Sequence, residues 1–304
     1  MQEETTALYR DVSPSIGVGL RHPHYQDALD NKPEEVDFLE VHAENFFASG
    51  GIIRALLDDV CDQYAISVHG TSLGLGSEVP LPERVLTQFS ELVAHTNPML
   101  VSEHLCFNRA MIDGQLKHSG DLLPIPYNDN SLKIVEGQIQ RVQDRIKRPL
   151  LIENLSAYIH PNELVPNTND HYSEIEFLNV MCERAGCGLL LDLNNLLVNA
   201  HNRDVEDPVT HVLDTLERLS DNHVGEIHLA GFNKRKVHGY YVDDHGAAVS
   251  DQCWQLYREL QTRFHHVPTL VEWDTQIPSW EVLTDQAKHA HTIAITHNPT
   301  ECSS

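Results

Sequence analysis

Short apolar runs recur along this chain, and each stops at or beside a polar residue. Ile16 to Leu20 and Asp37 to His42 open the series, Ala65 to Val68 runs into His69, and Met99 to Ser102 runs into Glu103 and His104. Leu150 to Ile152 then meets Glu153 and Asn154, Leu189 to Leu191 meets Asp192, Gly225 to Ile227 meets His228, and Leu270 and Val271 meet Glu272. Runs without in-and-out alternation are what parallel strands look like when helices cover their outer face.

Helical spacing fills the intervals. Ile52, Ile53, Leu56, Leu57 and Val60 follow the break at Gly50-Gly51, and Pro82-Glu83 suits the first turn of a helix carrying Val85, Leu86, Phe89, Leu92 and Val93. Further helices are expected over Ser131 to Ile146, around Ile175, Leu178, Met181 and Cys182 up to Gly186-Cys187-Gly188, and over Asp251 to Phe264. Asp207-Pro208 has the form of a cap with proline in the first turn, ahead of Val209, Val212, Leu213, Leu216 and Leu219. Leu105 to about Asn130 is expected to be a long loop, because Pro124 and Pro126 exclude a helix interior or a central strand.

Strand and helix therefore alternate, with no Gly/Ser linker and no repeat of fixed period. The pattern predicts one (β/α)8 TIM barrel over 1–304, with strands near 16–20, 37–42, 65–69, 99–104, 149–154, 187–192, 225–229 and 268–273, and a polar, frayed tail from about residue 296. Such a barrel points every strand's C-terminal end at one face. Residues scattered along the chain then become one site.

Those strand ends and the segments after them are rich in metal-ligand types: His69, His104, Glu153, Asp192, Asn195, His228, Asp243 and His245 in the Ala230 to Ser250 loop, and Glu272. A lone His or acid at a strand end is more often a hydrogen-bonded residue or a cap, yet six strand ends behaving alike point to a common purpose. Nine ligands exceed one ion's needs, so two or three ions sharing a carboxylate are expected, with Glu153 as the bridge. We group His69, His104 and Glu153 around one ion, Glu153, Asp192, His228 and Glu272 around a second, and Asn195, Asp243 and His245 around a third. Asp243 and His245 would face the same way as alternate residues of an extended segment, and the neutral amide of Asn195 makes the third ion the weakest.

Imidazole and carboxylate without thiolate suit iron, manganese or zinc. Asp274, two residues beyond Glu272, would also face inward if the strand continued, as a proton acceptor. His42, Glu44, Asn45, Glu103 and Asn154 would line the same face, contacting substrate or orienting ligands.

Length adds little, since 304 residues fit one barrel or two smaller domains, but the 41% apolar and 22% charged content implies a packed core. Forty-five acidic against 21 basic residues leave a net charge of -24, which repels nucleic acid and anionic lipid. Met1 to Pro14 shows no targeting signal, no apolar run reaches membrane-spanning length, and the six cysteines show no paired metal or redox spacing. A cytoplasmic protein with reduced thiols is expected.

The stretches Gly17-Val-Gly-Leu20, Glu40-Val-His-Ala-Glu-Asn-Phe46, Ser67-Val-His69, Val101-Ser-Glu-His104, Leu123-Pro-Ile-Pro-Tyr127, Ile152-Glu-Asn154, Leu191-Asp-Leu-Asn-Asn195 and Val271-Glu-Trp-Asp274 resemble the multinuclear nonheme iron-dependent oxidases, which include the iron subunit of methanobactin biosynthesis. The resemblance runs from the first strand to the last. It implies a xylose-isomerase-like TIM barrel with two or three irons of mixed valence, dioxygen as co-substrate, and oxidative rearrangement of a cysteine in a ribosomally synthesised precursor peptide. It also implies a small partner protein that captures the peptide's leader, the ligand groups above, and Asp274 as the base. The ligand order is similar, too, to zinc-dependent apurinic endonucleases, whose phosphodiesterase chemistry the charge disfavours, and to divalent-metal sugar isomerases and epimerases. A noncatalytic metal-storing or peptide-binding scaffold remains a third class.

Overall fold

The computed structural model describes residues 15–159, 163 and 172–296. The expectations for Met1 to Pro14, for Cys302 and for the tail beyond residue 296 lie outside these residues. Eight parallel strands close into a barrel, formed by β1 (Ile16–Gly19), β2 (Phe38–His42), β3 (Ala65–Gly70), β4 (Leu100–His104), β7 (Leu151–Glu153), β8 (Gly188–Asp192), β9 (Val224–Leu229) and β10 (Thr269–Val271). Sequential strands are neighbours, and β1 closes the ring against β10 through Ile16 opposite Thr269 and Val18 opposite Val271.

Helices α1 (Tyr25–Asp30), α2 (Ile52–Cys61), α3 (Glu83–Thr96), α4 (Asp129–Ile146), α5 (Glu174–Ala185), α6 (Leu193–Asn202), α7 (Pro208–Leu216), α8 (Asp251–Phe264) and α9 (Trp280–Thr296) occupy the connections. Their starts are chemically marked. Asn128, Asp207 and Ser250 accept the backbone N–H of Ser131, Thr210 and Cys253, and Ser173 with Glu176 forms a full capping box. Buried leucine, valine and isoleucine from both strands and helices form the main core between the layers.

Inside the barrel the floor is apolar and the upper levels are polar. Leu100, Leu151 and Leu190 form a separate buried cluster, and Phe38 fills the space that Gly17 leaves, where an added Cβ would stand 2.5 Å from its ring. That glycine is what lets the aromatic ring enter the barrel.

A hairpin and three helices differ from the sequence reading, the short α1 being one that it left unmarked. The expected long loop holds an antiparallel hairpin, β5 (Phe107–Ile112) and β6 (Gln115–Leu123), which ends just before Pro124. Its turn is Asp113-Gly114, with φ of 51° and 71°, the two positive values that a type I′ hairpin turn needs. Helix α6 starts directly after Asp192, whose carboxylate accepts the Asn195 N–H at 2.6 Å and so caps it. Helix α9, unmarked in the sequence reading, packs on β1 and β10.

Candidate metal centre

Strand β3 delivers His69, β4 delivers His104 and β7 delivers Glu153 to one spot. One carboxylate oxygen of Glu153, Oε2, lies 3.4 Å from His69 Nε2 and 3.3 Å from His104 Nε2. His69 is held from behind by Ser102 Oγ at 2.8 Å from its Nδ1, which orients Nε2 toward the shared carboxylate. Ligand atoms of these three residues all lie within 4.8 Å of one another, and so do those of Glu153, Asp192 and His228, and of Asp192, His245 and Glu272. Glu153 and Asp192 each belong to two sets.

Glu272 joins two imidazoles, with Oε2 3.1 Å from both His228 Nδ1 and His245 Nδ1. His245 Nε2 lies 2.9 Å from Asp243 Oδ1 and 3.6 Å from Asp192 Oδ2. The pairing of Asp243 with His245 does not come from strand alternation, because His245 has φ of 39°; a non-glycine residue in the left-handed region is strained backbone that surrounding contacts must hold. Asp243 is anchored by Asn194 Nδ2 at 2.8 Å. Asn195 sits nearer Glu153, donating to its Oε1 at 3.2 Å, while its own Oδ1 is buried without a partner.

The remaining polar residues divide between ligand support and rim. Asn154 donates to the Asp192 carbonyl at 3.0 Å and accepts the Asp192 N–H at 2.9 Å, which locks β7 to β8 at the site. Glu103 is buried and accepts the Leu73 N–H at 3.0 Å, and Glu44 accepts the Thr71 N–H and the Ser72 hydroxyl. His42 is half-buried, and Asn45 is exposed beside it. Strand β10 stops at Val271, so Asp274 is placed by other means: Arg21 Nε donates to its Oδ1 at 2.6 Å, and its N–H donates to the His245 carbonyl at 2.8 Å.

Arg21, Glu40 and Glu226 were absent from the candidate set, and the structure puts all three beside it. The Arg21 guanidinium also donates to Glu272 Oε1 at 2.9 Å and lies 2.8 Å from His42 Nε2. Glu40 stood inside a motif of the family resemblance and sits two residues before His42 on the same strand. Glu226 sits two residues before His228, and period-two alternation was the available signal.

The electrostatics are those of a crowded acid and imidazole cluster. Burial raises the Glu153 carboxyl, with His104 and His228 opposing and Asp192 adding to the rise; Asp192 is raised likewise by burial and by Asp243. Burial would lower His104, yet Glu153 and Glu103 outweigh it and push it up to about 10. Glu272 is held well below the usual carboxylate range, because His245 and His228 overcome the effect of burial. Such protons belong to the group rather than to single residues.

A family model described as RiPP precursor modification enzyme MbnB/TglH/ChrH matches residues 15–295. The chain belongs to this family. A relative from Chromobacterium violaceum, a UPF0276 protein, is 41% identical over 279 residues, 91% of this chain and 94% of its own. Among solved structures, endonuclease IV from Thermus thermophilus superposes with a TM-score of 0.57 at 12% identity, covering 93% of this chain and 99% of its own. A xylose isomerase domain containing protein from Salmonella typhimurium gives 0.53 at 11%, covering 92% and 96%. These two show the fold alone, a xylose-isomerase-like TIM barrel.

The site's place in this family's barrel is at the C-terminal ends of the strands, where loops also carry exposed apolar side chains. Met111, Ile112 and Leu116 lie on the hairpin after β4, Tyr158 and Ile159 follow β7, and Val237 and Tyr240 follow β9. The Tyr158 and Tyr240 rings stand 5.8 Å apart.

Proposed function

We propose that this protein is a multinuclear iron, dioxygen-dependent oxidase that modifies a cysteine in a ribosomally synthesised precursor peptide. The observation that carries the reading is the sharing of Glu153 and Asp192 among three neighbouring ligand sets. A lone ion needs no such sharing; adjacent ions do.

The donors fit metal ions. Glu153 Oε2, Asp192 Oδ2, Asn195 Oδ1 and His245 Nε2 are all buried without a hydrogen-bond partner, and orphaned buried polar atoms require an explanation such as an ion. His69, His104 and Glu153 would hold one ion, Glu153, Asp192, His228 and Glu272 a second, and Asn195, Asp243 and His245 a third, with Asp192 lying between the second and third because its Oδ2 is 3.6 Å from His245 Nε2. Iron, with zinc or manganese as the chemically similar alternatives, would supply electrons to dioxygen and Lewis acidity toward a thiolate.

The chain's own residues do the rest. Arg21 keeps the Asp274 carboxylate oriented and ionised, and Asp274 has 29% of its side chain exposed at the rim, where it accepts a proton from the peptide. His42 and Asn45 meet the substrate, whereas Glu103 and Asn154 brace the ligands. The apolar loop residues around the mouth support a peptide rather than a sugar as the occupant, and a small partner protein delivers the leader. No helix among the described residues is long and apolar enough to cross a membrane. Cys61, Cys106, Cys182, Cys187 and Cys253 are unpaired, which supports a reducing, cytoplasmic setting.

The test is aerobic purification with metal analysis and a visible spectrum, followed by mass spectrometry of a co-expressed precursor peptide. Iron at more than one equivalent, a ligand-to-metal charge-transfer band and a cysteine-localised mass change are expected. The Asp274→Asn variant should keep its iron and lose the mass change. Colourless protein carrying zinc alone, with the peptide unaltered, would overturn the reading.

A further inference from the structure

Below the mouth, the barrel interior contains a second set of donors, of which the oxidase reading uses only His228. Glu40 on β2, Glu226 on β9 and His228 have ligand atoms within 4.8 Å of one another, and all three residues are 0% exposed. Both carboxylate oxygens of Glu40, both of Glu226, and His228 Nε2 lack any hydrogen-bond partner. His228 Nε2 stands 3.3 Å from Glu40 Oε2 and 3.7 Å from Glu226 Oε1, near enough for attraction but without a hydrogen bond to either. The opposite ring nitrogen, Nδ1, faces Glu272 and the mouth. Ser67, the register partner of Glu40 on β3, adds a buried hydroxyl that is also unpartnered.

Barrels of this kind usually fill their interior with branched apolar side chains, and two buried carboxylates that share one imidazole as their main counter-charge are expensive. Of these two carboxylates Arg21 reaches only Glu40, at 3.9 Å, and among the described residues Glu226 has an ion pair only with the His228 ring. A single divalent cation would offset both carboxylates and use the lone pairs that are left over. Two carboxylates with an imidazole favour a transition-metal ion over magnesium or calcium, which prefer all-oxygen sites.

We propose that Glu40, Glu226 and the Nε2 face of His228 form a separate, deep cation site that takes a divalent transition-metal ion, with His228 joining it to the mouth. The ion is sealed from substrate by the apolar floor and by the ligands above, so its role is to hold β2 and β9 together and to fix the His228 ring. The proposal does not depend on the oxidase reading.

Crystals of the full chain grown with Zn2+ and measured at the zinc edge test it. An anomalous peak about 2.0 to 2.2 Å from Glu40, Glu226 and His228 Nε2, in addition to peaks at the mouth, is expected. In solution, Glu226→Gln should bind one zinc equivalent fewer than the unaltered chain after equal dialysis, with the mouth ions kept. Mouth peaks with only water or a His228–Glu226 hydrogen bond below, or equal zinc counts for the two proteins, would overturn the deep site and leave the oxidase reading standing. Absence of anomalous signal at both levels would overturn both. If Glu226→Gln does not fold, the crystal of the unaltered chain decides.

Discussion

Glu153 is the side chain on which the mouth cluster turns, because its Oε2 faces His69 and His104 while the same carboxyl also meets the Asp192 and His228 set. Glu153→Gln should therefore lower the metal content by more than one ion, whereas Asn195→Ala should lose one ion at most; plasma mass spectrometry of the two variants checks this, and equal losses would refute the grouping. His104 supplies a pH prediction. Its pKa, raised to about 10 by Glu153 and Glu103 against the effect of burial, leaves it protonated at neutral pH in the metal-free protein. The stability it contributes there is full below its ordinary value of about 6.5 and fades as pH rises through about 10. A metal takes neutral imidazole, so loading must expel that proton and affinity must rise with pH. Calorimetric titration with Mn2+ in two buffers of different ionisation enthalpy should give different heats, and identical heats would exclude proton release.

At the scale of elements, β1 depends on Gly17, since a Cβ there would stand 2.5 Å from the fully buried Phe38 ring. Gly17→Ala should cost about 1–3 kcal/mol by overpacking, seen as a lower urea midpoint with unchanged slope; an unshifted midpoint would mean that the ring yields freely. Most elements were legible from apolar spacing and caps, as at Asp207-Pro208 and at Asp251 to Phe264. The hairpin was not, because the two prolines beyond it drew the whole stretch into a loop, although Asp113-Gly114 carried the turn signal. Helix α6 was hidden for a different reason: Asp192 serves both as the strand's last residue and as the helix cap, so no polar gap separates the two elements.

For the whole molecule, barrel closure turns a list of strand ends into a chemical centre, and net charge limits what reaches it. The fold is shared with an endonuclease, yet the charge of -24 opposes the approach of a phosphate backbone. Duplex DNA with an abasic site should remain uncleaved by the zinc-loaded protein in a gel assay at low salt, where the repulsion is least screened; cleavage would require a local basic groove that outweighs the overall charge.

What the sequence determined unaided was local: the short apolar runs and the 3.6-residue spacing that alternate strand with helix, and the kind of residue at each strand end. Fold class follows from that alternation, and His69, His104, Glu153, Asp192, His228 and Glu272 follow from the strand ends. Only the tertiary structure decided which of them share a neighbour, because the sharing depends on register around a closed ring. It alone brought in Arg21 from the loop after β1, set His245 at a positive φ, and turned Glu40 and Glu226 inward. Burial and unmatched hydrogen-bonding atoms are properties of packing among remote segments, and no window along the chain contains them.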